Sequence, residues 1–404
     1  MSDFIQNSKI TNLQMIHKRA LPDIESEIEV FSYDRKITLL LPSLYSEFTG
    51  EAMPRIVKSL ETVPYIHRLV LSLDRASEKE FETVKKLFRG FPYDVQIIWQ
   101  DSPRIMALYD YLENQQFYIG YQGKGRGVWF AIGYILSKKD TKVIALHDCD
   151  IVNYDRGLLA RLVYPLVNPS LVYEFSKGYY SRVSDCQLYG RVTRLYLTPI
   201  LQALKKIFGS RDFFEFLESF RYILSGEFAI RTDMAAKLRI TPDWGLEITT
   251  LGGVYSLVTP SRVCQVELLA NYEHKHQEIK QGQDPESGLS KMVIDITRAL
   301  FRILSQDGIV FTPAVIRSLR VTYINFARVN IEKYDALAKL NGLRFERHEE
   351  ISAVEQFSAA LTMASERFME DPIGTPLMPG WHRVISAESD FGNRMVEVIE
   401  AENR

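Results

Sequence analysis

The feature that most constrains the fold is a set of four short apolar runs in the first 150 residues, separated by stretches with helical spacing of apolar residues. The runs are Lys36–Leu41, Arg68–Asp74, Val95–Trp99 and Lys142–Leu146. Strands that alternate with helices form parallel sheets, because a right-handed crossover returns the chain to the same end of the sheet. The pattern predicts an α/β domain with a Rossmann-like, doubly wound, mostly parallel sheet.

Beyond residue 168 the pattern changes. Strands are predicted at Leu171–Phe175 and Arg262–Leu268, with helices over 189–207 and 211–224 between them. The last third reads as a helical extension, because apolar residues recur there at helical spacing with few breakers. We expect its helices to pack on the core or to build a homodimer. They cover residues 289–304, 313–340 and 350–369.

Charge and hydropathy argue against several classes of protein. The net charge of −2 gives no field that would recruit nucleic acid or an anionic membrane surface. Met1–Leu21 mixes charged and polar residues, so neither a signal peptide nor a membrane anchor is predicted. Cys149, Cys186 and Cys264 have no disulfide-like or metal-like spacing. We therefore expect a cytoplasmic protein with reduced thiols.

Asp148–Asp150 is the clearest chemical feature of the sequence. Its two carboxylates stand two positions apart, directly after the fourth apolar run, where both can reach a divalent cation that binds a diphosphate. Ligands of such sheets bind at the carboxyl ends of the strands, so Pro42, Ser43 and Asp74 should share the same crevice. The alternative is a loop or helix cap with no ligand.

The segment Gly123–Gly127 precedes an amphipathic helix predicted from about Arg126. Its backbone amides, the helix N-terminus and the two cations Lys124 and Arg126 could hold phosphate. It lacks both the Walker spacing and the G-x-G-x-x-G fingerprint. A flexible loop at a helix start is the alternative.

Other candidates come from later segments. An imidazole of His274 or His276 could complete a metal shell begun by Asp150, although surface histidines are the alternative. Glu227 and Glu247 stand beside glycine and aromatic residues, in settings suited to sugar hydroxyls or to a structural role.

The block Gly190–Arg194 offers guanidinium and hydroxyl donors for an anionic acceptor. The alternative is a helix N-terminus with solvated arginines.

Taken together, several segments resemble the glucosyl-3-phosphoglycerate synthases, retaining glycosyltransferases of the GT-A fold, over about residues 36–305. The segments are Leu41–Glu47, Gly123–Trp129, His147–Ile151, Tyr189–Leu195, Gly226–Phe228, Gly245–Glu247 and Gln265–Leu268 followed by His274.

The resemblance implies a role for each group of residues. Mg²⁺ or Mn²⁺ would bind Asp148, Asp150 and His274, and the catalytic residues would be Asp150, Glu227 and Glu247, with both glutamates facing the sugar. The implied donor-binding residues are Pro42, Ser43, Leu44, Glu47, Ser72, Lys124, Asp148 and Cys149. The implied acceptor-binding residues are Gly190, Arg191, Val192, Thr193 and His276.

The resemblance also implies a division of the chain. Residues 1–35 would be a lead-in, 36–168 the half that binds the nucleotide-sugar, 169–288 the half that binds the acceptor, and 289–404 the helical extension. The expected reaction moves glucose from a UDP- or GDP-linked donor to 3-phosphoglycerate. This reaction would be a step in the synthesis of a charged compatible solute. The extra residue between Pro42 and Glu47, and His276 in place of an amide, depart from the family pattern.

Three other functions stay open at this point. The enzyme could transfer mannose or glucose to a related acceptor such as glycerate. A sugar-1-phosphate nucleotidyltransferase shares the sheet and an Asp-dependent metal, but it normally has a Gly-x-Gly-Thr-Arg loop where this chain has Pro42–Tyr45. A nucleotide-sugar sensor without catalysis is the alternative outside enzymes.

Overall fold

The computed structural model describes residues 6–17, 19–269 and 287–404. The strands and helices below are those of the described ranges. The strands are β1 (Thr11–Leu13), β2 (Ile37–Leu44), β3 (Ile66–Asp74), β4 (Asp94–Trp99), β5 (Val143–Leu146), β6 (Phe175–Tyr180), β7 (Val183–Ser184), β8 (Gln187–Leu188), β9 (Phe228–Arg231) and β10 (Val263–Leu269).

The helices follow the same chain order. They are α1 (Leu21–Ser32), α2 (Ala52–Leu60), α3 (Glu78–Leu87), α4 (Pro103–Asn114), α5 (Lys124–Lys138), α6 (Arg156–Val167), α7 (Thr198–Phe208), α8 (Asp212–Glu218), α9 (Thr232–Ala235), α10 (Leu246–Leu257), α11 (Gly288–Gln306), α12 (Pro313–Leu340), α13 (Arg347–Glu370), α14 (Trp381–Ala387) and α15 (Phe391–Asn403). Short 3₁₀ turns cover Tyr45–Thr49 and Pro260–Arg262, and a π-helix covers Val192–Leu197.

Eight of the described strands form one sheet in the order β1-β10-β6-β9-β5-β2-β3-β4, and β7 and β8 form a separate hairpin. Strand β9 is antiparallel to both of its neighbours, and the other pairings within the sheet are parallel. The prediction of a mostly parallel α/β sheet is confirmed.

Apolar side chains project from both faces of this sheet. Leu40 and Val70 join the core on the side of α5, whereas Leu39 and Leu69 join the core on the side of α6. Successive side chains of a strand point to opposite faces, so a strand buried on both faces is apolar throughout. This explains the continuous apolar runs of β2 and β3.

The described residues before position 36 include a strand and a helix. Strand β1 pairs in parallel with β10, with Thr11 opposite Cys264, and helix α1 packs against α6. The described part of this segment therefore extends the sheet by one edge strand.

Two predictions of local structure were wrong, and one helix was not predicted. The strand predicted at Leu171–Phe175 begins only at Phe175 and continues to Tyr180 as β6, in which Ser176 and Lys177 are buried although they look like surface residues. The helix predicted over 211–224 ends at Glu218 as α8. Helix α4 was not predicted, although Ser102 caps it and Pro103 begins it.

The extension after residue 288 packs on the main domain instead of standing apart. Helices α11 and α13 contact each other, and α12 contacts α7. Helices α14 and α15 then pack against α5 and β4. No helix among the described residues has the length and apolar character needed to cross a bilayer.

Two side chains join this returning segment to the domain. Trp381 stacks on Trp129 of α5 with ring centroids 4.5 Å apart, directly over Gly133. Asn403 bonds to both the amide and the carbonyl of Ile97 on the edge strand β4, each at 2.9 Å.

Candidate functional site

A cleft of about 670 Å³ opens at the carboxyl ends of β2, β3 and β5. All the side chains predicted to bind the donor line it, and so do Asp74, Asp150 and Glu247. The prediction that these strand ends share one crevice is confirmed, while the role of each residue stays a prediction. The predicted donor residues in the cleft are Pro42, Ser43, Leu44, Glu47, Ser72, Lys124, Asp148 and Cys149.

The acidic motif carries closely spaced charges. Burial, together with the charges of Asp148 and Glu227, raises the pKa of Asp150 to about 7. Lys124 lies 2.7 Å from a carboxylate oxygen of Asp148 and 3.4 Å from one of Glu247. Burial acts to lower the pKa of Lys124, but the charges of Asp148 and Glu247 outweigh it and raise that pKa. The lysine is therefore held as a cation beside the motif.

The glycines of the 123–127 segment are required for close packing. Helix α5 begins at Lys124, two residues earlier than predicted. A side chain on Gly125 would lie 2.1 Å from the carbonyl oxygen of Thr241, and one on Gly127 would lie 2.7 Å from the Ser72 hydroxyl. This close approach sets the N-terminus of α5, and with it Lys124, at the cleft.

We expect Gly125→Ala to lower the free energy of unfolding by about 1–3 kcal/mol, because overpacked sites must shift backbone. Donor binding should weaken with it, since Lys124 is the preceding residue. Gly50→Ala is the control, because its new side chain would meet the nearest atom at 3.4 Å. Chemical denaturation of both variants measures the effect, and equal values for the two would contradict the packing argument.

Arg126, which the sequence suggested for phosphate, is not among the described residues that line the cleft. Its side chain is buried and its guanidinium lies over the ring of Tyr109, 4.4 Å from the centroid. Of the two cations in this segment, Lys124 lies at the cleft. The helical register accounts for the difference, because residues two apart on a helix point in different directions.

Ser72 is oriented by a buried chain of polar groups. The hydroxyl of Tyr109 donates to Gln100 at 2.7 Å, and the amide of Gln100 donates to the Ser72 hydroxyl oxygen at 3.0 Å. Because Ser72 accepts this bond, its own proton can be directed at a ligand in the cleft.

The two predicted catalytic glutamates occupy different positions. Glu247 stands in the first turn of α10 and lines the cleft beside Lys124. Glu227 is completely buried and accepts a hydrogen bond of 2.6 Å from Tyr180. The adjacent Gly226 packs on the metal motif, since a side chain there would lie 2.2 Å from Asp148. Glu227 thus lies behind the motif, not among the described residues that line the cleft.

The acceptor block lies apart from the donor residues. Gly190 has a left-handed φ of +74°, and Arg191 precedes the π-helix. The guanidinium of Arg191 bonds to Glu349 and Glu350 of α13, while Val192 is buried in the core. Thr193 contacts the hydroxyl of Tyr222. None of this block is among the described residues that line the cleft.

The histidine predictions lie outside the described residues, which stop at 269 and resume at 287. They concern His274 as a metal ligand and His276 as an acceptor contact. Within the described ranges, no group of three histidine, cysteine, aspartate or glutamate side chains could hold a metal ion. The carboxylates of Asp148 and Asp150 are the part of the predicted ligand set that the structure describes.

Several cleft residues were not predicted from the sequence. They include Arg75, Tyr121, Gln122, Trp244, Lys291 and Asp295. Lys291 and Asp295 come from α11, so the helical extension contributes to the cleft. Their ion pair of 2.7 Å joins two residues of α11 at i, i+4 spacing, and this spacing was the signal available in the sequence.

A mostly parallel sheet with an Asp-x-Asp pair, a lysine and an oriented serine at its strand ends is typical of nucleotide-sugar-dependent transferases of the GT-A type. Comparison with known proteins identifies the family within this class of transferases. The chain is 50% identical over 403 residues to glucosyl-3-phosphoglycerate synthase of Persephonella marina, covering 100% of this chain and 99% of the relative. It belongs to the glucosyl-3-phosphoglycerate synthase family.

The family relationship is supported by a more distant relative. The enzyme of the same name from Methanococcoides burtonii is 33% identical over 380 residues, covering 93% of this chain and 92% of the relative. Both matches extend past residue 305, so the resemblance is wider than the motifs suggested. No protein-family model matches the chain.

Solved structures support the fold. The glucosyl-3-phosphoglycerate synthase of Mycobacterium tuberculosis, solved with Mn²⁺, UDP and phosphoglyceric acid, superposes with a TM-score of 0.53. It is 19% identical in sequence, and the match covers 76% of this chain and 89% of that one. The GT-A fold is thereby confirmed.

Proposed function

We propose that this enzyme transfers glucose from a nucleotide-diphosphate donor, UDP-glucose in the first instance, to 3-phosphoglycerate, giving glucosyl-3-phosphoglycerate. The observation that carries the proposal is the full-length, 50% identity to a glucosyl-3-phosphoglycerate synthase. The cleft supports it, because the predicted donor residues line a single cavity large enough for a nucleotide-sugar.

The residues of the motif fit a divalent cation. Burial, and after it the charges of Asp148 and Glu227, raise the pKa of Asp150, and a bound cation would stabilise the ionised carboxylates. Carboxylate oxygens are ligands that Mg²⁺ and Mn²⁺ prefer. Asp148 and Asp150 would hold the ion, with His274 as the proposed third ligand. When bound, the ion supplies positive charge to the diphosphate.

The protein's own contribution is mainly orientation and charge. We propose retention of configuration by front-face attack, in which the acceptor hydroxyl bonds to the anomeric carbon as the bond to the diphosphate breaks. The hydroxyl proton passes to the leaving phosphate oxygen. Lys124 and the N-terminus of α5 stabilise the departing charge, and Glu247 contacts the sugar.

We also propose a cytoplasmic location. Its support is the set of three cysteines, which are free thiols in the structure, two of them buried. Free thiols are the usual state in a reducing compartment.

Product formation tests the function directly. UDP- and GDP-linked glucose and mannose would each be supplied with 3-phosphoglycerate or glycerate, in the presence of Mg²⁺, Mn²⁺ or EDTA. We expect metal-dependent transfer of glucose to 3-phosphoglycerate. Pyrophosphate release from a nucleoside triphosphate would instead indicate a nucleotidyltransferase, and tight donor binding without turnover would indicate a sensor.

Arg191→Ala is expected to raise the acceptor KM by about tenfold or more, because a charged hydrogen bond contributes about 1.5–3 kcal/mol. The donor KM should change little. Steady-state kinetics with each substrate varied in turn separates the two, with Arg89→Ala, an exposed arginine, as control. Equal rises in both KM values would argue against an acceptor role for Arg191.

A further inference from the structure

Helix α12 holds the wide helical turn that begins after Arg191. Tyr323 donates to the carbonyl of Leu195 at 2.9 Å, and Asn330 donates to the carbonyl of Arg194 at 3.0 Å. A π-helix shifts its backbone hydrogen bonds by one residue, and short π segments recur at functional sites. Buried carbonyls need partners, and here two side chains of the helical extension provide them.

Helix α13 holds the guanidinium of Arg191 itself. Its Nε donates to Glu350 at 2.8 Å, and a terminal nitrogen donates to Glu349 at 2.6 Å. Glu350 also accepts a bond of 2.8 Å from Arg194. The side chain of Glu350 is 4% exposed, whereas that of Glu349 is 55% exposed. One partner of Arg191 is thus in the interior and the other is in water.

These two carboxylates contribute differently. Breaking a buried ion pair leaves an uncompensated charge, so Glu350 constrains the direction of the Arg191 side chain strongly. An exposed pair contributes only about 0–1 kcal/mol, because water and salt compete for it. Glu349 is therefore a partner that another anion can replace.

We propose that Glu350 is a positioning residue for Arg191 and that an anionic group of the acceptor replaces Glu349 on the same guanidinium. The inference rests on the proposed function, in which Arg191 binds 3-phosphoglycerate. Carboxylate and phosphate oxygens both match the planar guanidinium, so an acceptor anion can take over the bond that Glu349 makes. The helical extension then serves acceptor binding through α12 and α13.

The test compares Glu349→Gln and Glu350→Gln with Glu355→Gln, an exposed carboxylate on the same helix. Acceptor and donor KM values are measured, together with direct binding of 3-phosphoglycerate by calorimetry. Removing the competing anion in Glu349→Gln should lower the acceptor KM and Kd by about threefold. Misdirecting Arg191 in Glu350→Gln should raise the acceptor KM by about tenfold, with the donor KM unchanged.

Several results would overturn the inference. One is a 3-phosphoglycerate Kd of Glu349→Gln equal to that of the control, and another is a donor KM that rises as much as the acceptor KM in Glu350→Gln. If Glu350→Gln fails to fold, Glu349→Gln decides alone, because its side chain is exposed. Glycerate, which carries a carboxylate, and glycerol 3-phosphate, which carries a phosphate, serve as binding probes that identify the anion that replaces Glu349. If Glu349→Gln changes the affinity for neither probe, the proposal is contradicted.

The inference and the proposed function can fail separately. Transfer to 3-phosphoglycerate by the unmodified enzyme, with no change of affinity in Glu349→Gln, would leave the function and reject the inference. Absence of transfer by the unmodified enzyme would reject the function. Calorimetric binding of 3-phosphoglycerate would still decide whether Glu349 competes for its site.

Discussion

Asp150→Ala is expected to lower the rate of glucosyl transfer by about 10³-fold or more, because a metal-bound diphosphate depends on charge neutralisation contributing several kcal/mol. The substitution should not lower the stability of the fold. Burial, and after it the charges of Asp148 and Glu227, raise the pKa of Asp150, so ionisation of this carboxyl destabilises the metal-free protein at neutral pH. The variant should therefore unfold at the same temperature as the unmodified protein or at a higher one.

Thermal unfolding with and without Mn²⁺ distinguishes this metal role from a structural one. A ligand that binds the native state raises the melting temperature, so Mn²⁺ should stabilise the unmodified enzyme and not Asp150→Ala. Asp110→Ala, an exposed aspartate of α4, is the control and should keep both activity and the Mn²⁺ effect. Near-normal turnover in Asp150→Ala would reject the assignment of the metal site.

Trp381→Ala is expected to lower the free energy of unfolding by about 3–5 kcal/mol, the usual cost of truncating a buried aromatic side chain. Trp381 is 1% exposed and stacks on Trp129. The indole N–H groups also bond to the chain around them, that of Trp129 to Pro379 and that of Trp381 to the carbonyl of Trp129. Loss of the side chain would leave a cavity beside Gly133.

Chemical denaturation measures this effect, and Leu340→Ala, which truncates a side chain 85% exposed, is the matched control with an expected change within about 0.5 kcal/mol. Because Trp129 and Lys124 share α5, the donor KM of Trp381→Ala should also rise. A loss of stability no greater than that of the control would show that α14 is not a structural part of the domain.

The donor side of the site could be predicted from sequence because it depends on local order. Strands β2, β3 and β5 are largely apolar, and in a parallel sheet the residues at the carboxyl ends of such strands meet at one edge. Ser43, Asp74 and Asp148 were placed together for that reason, and the cleft contains all of them.

The features that the sequence did not predict depend on contacts between residues far apart in the chain. Lys177 looks like a surface residue, yet it is buried in β6 and donates to the carbonyl of Ser225 at 2.6 Å. The sequence suggests Arg126 as a phosphate ligand, but in the structure its guanidinium lies over the ring of Tyr109. Glu349 and Glu350 lie more than 150 positions from Arg191, so no local pattern could pair them.

Asn403 also has a consequence for how copies of the protein behave toward one another. An outermost strand with open peptide groups can recruit a strand from a neighbouring molecule, which leads to aggregation. Asn403 occupies the amide and carbonyl of Ile97 on β4, and at the far side of the sheet β1 is only three residues long. Asn403 thus occupies part of the β4 edge and β1 offers few residues, so both edges of the described sheet are less able to pair with a strand of another molecule.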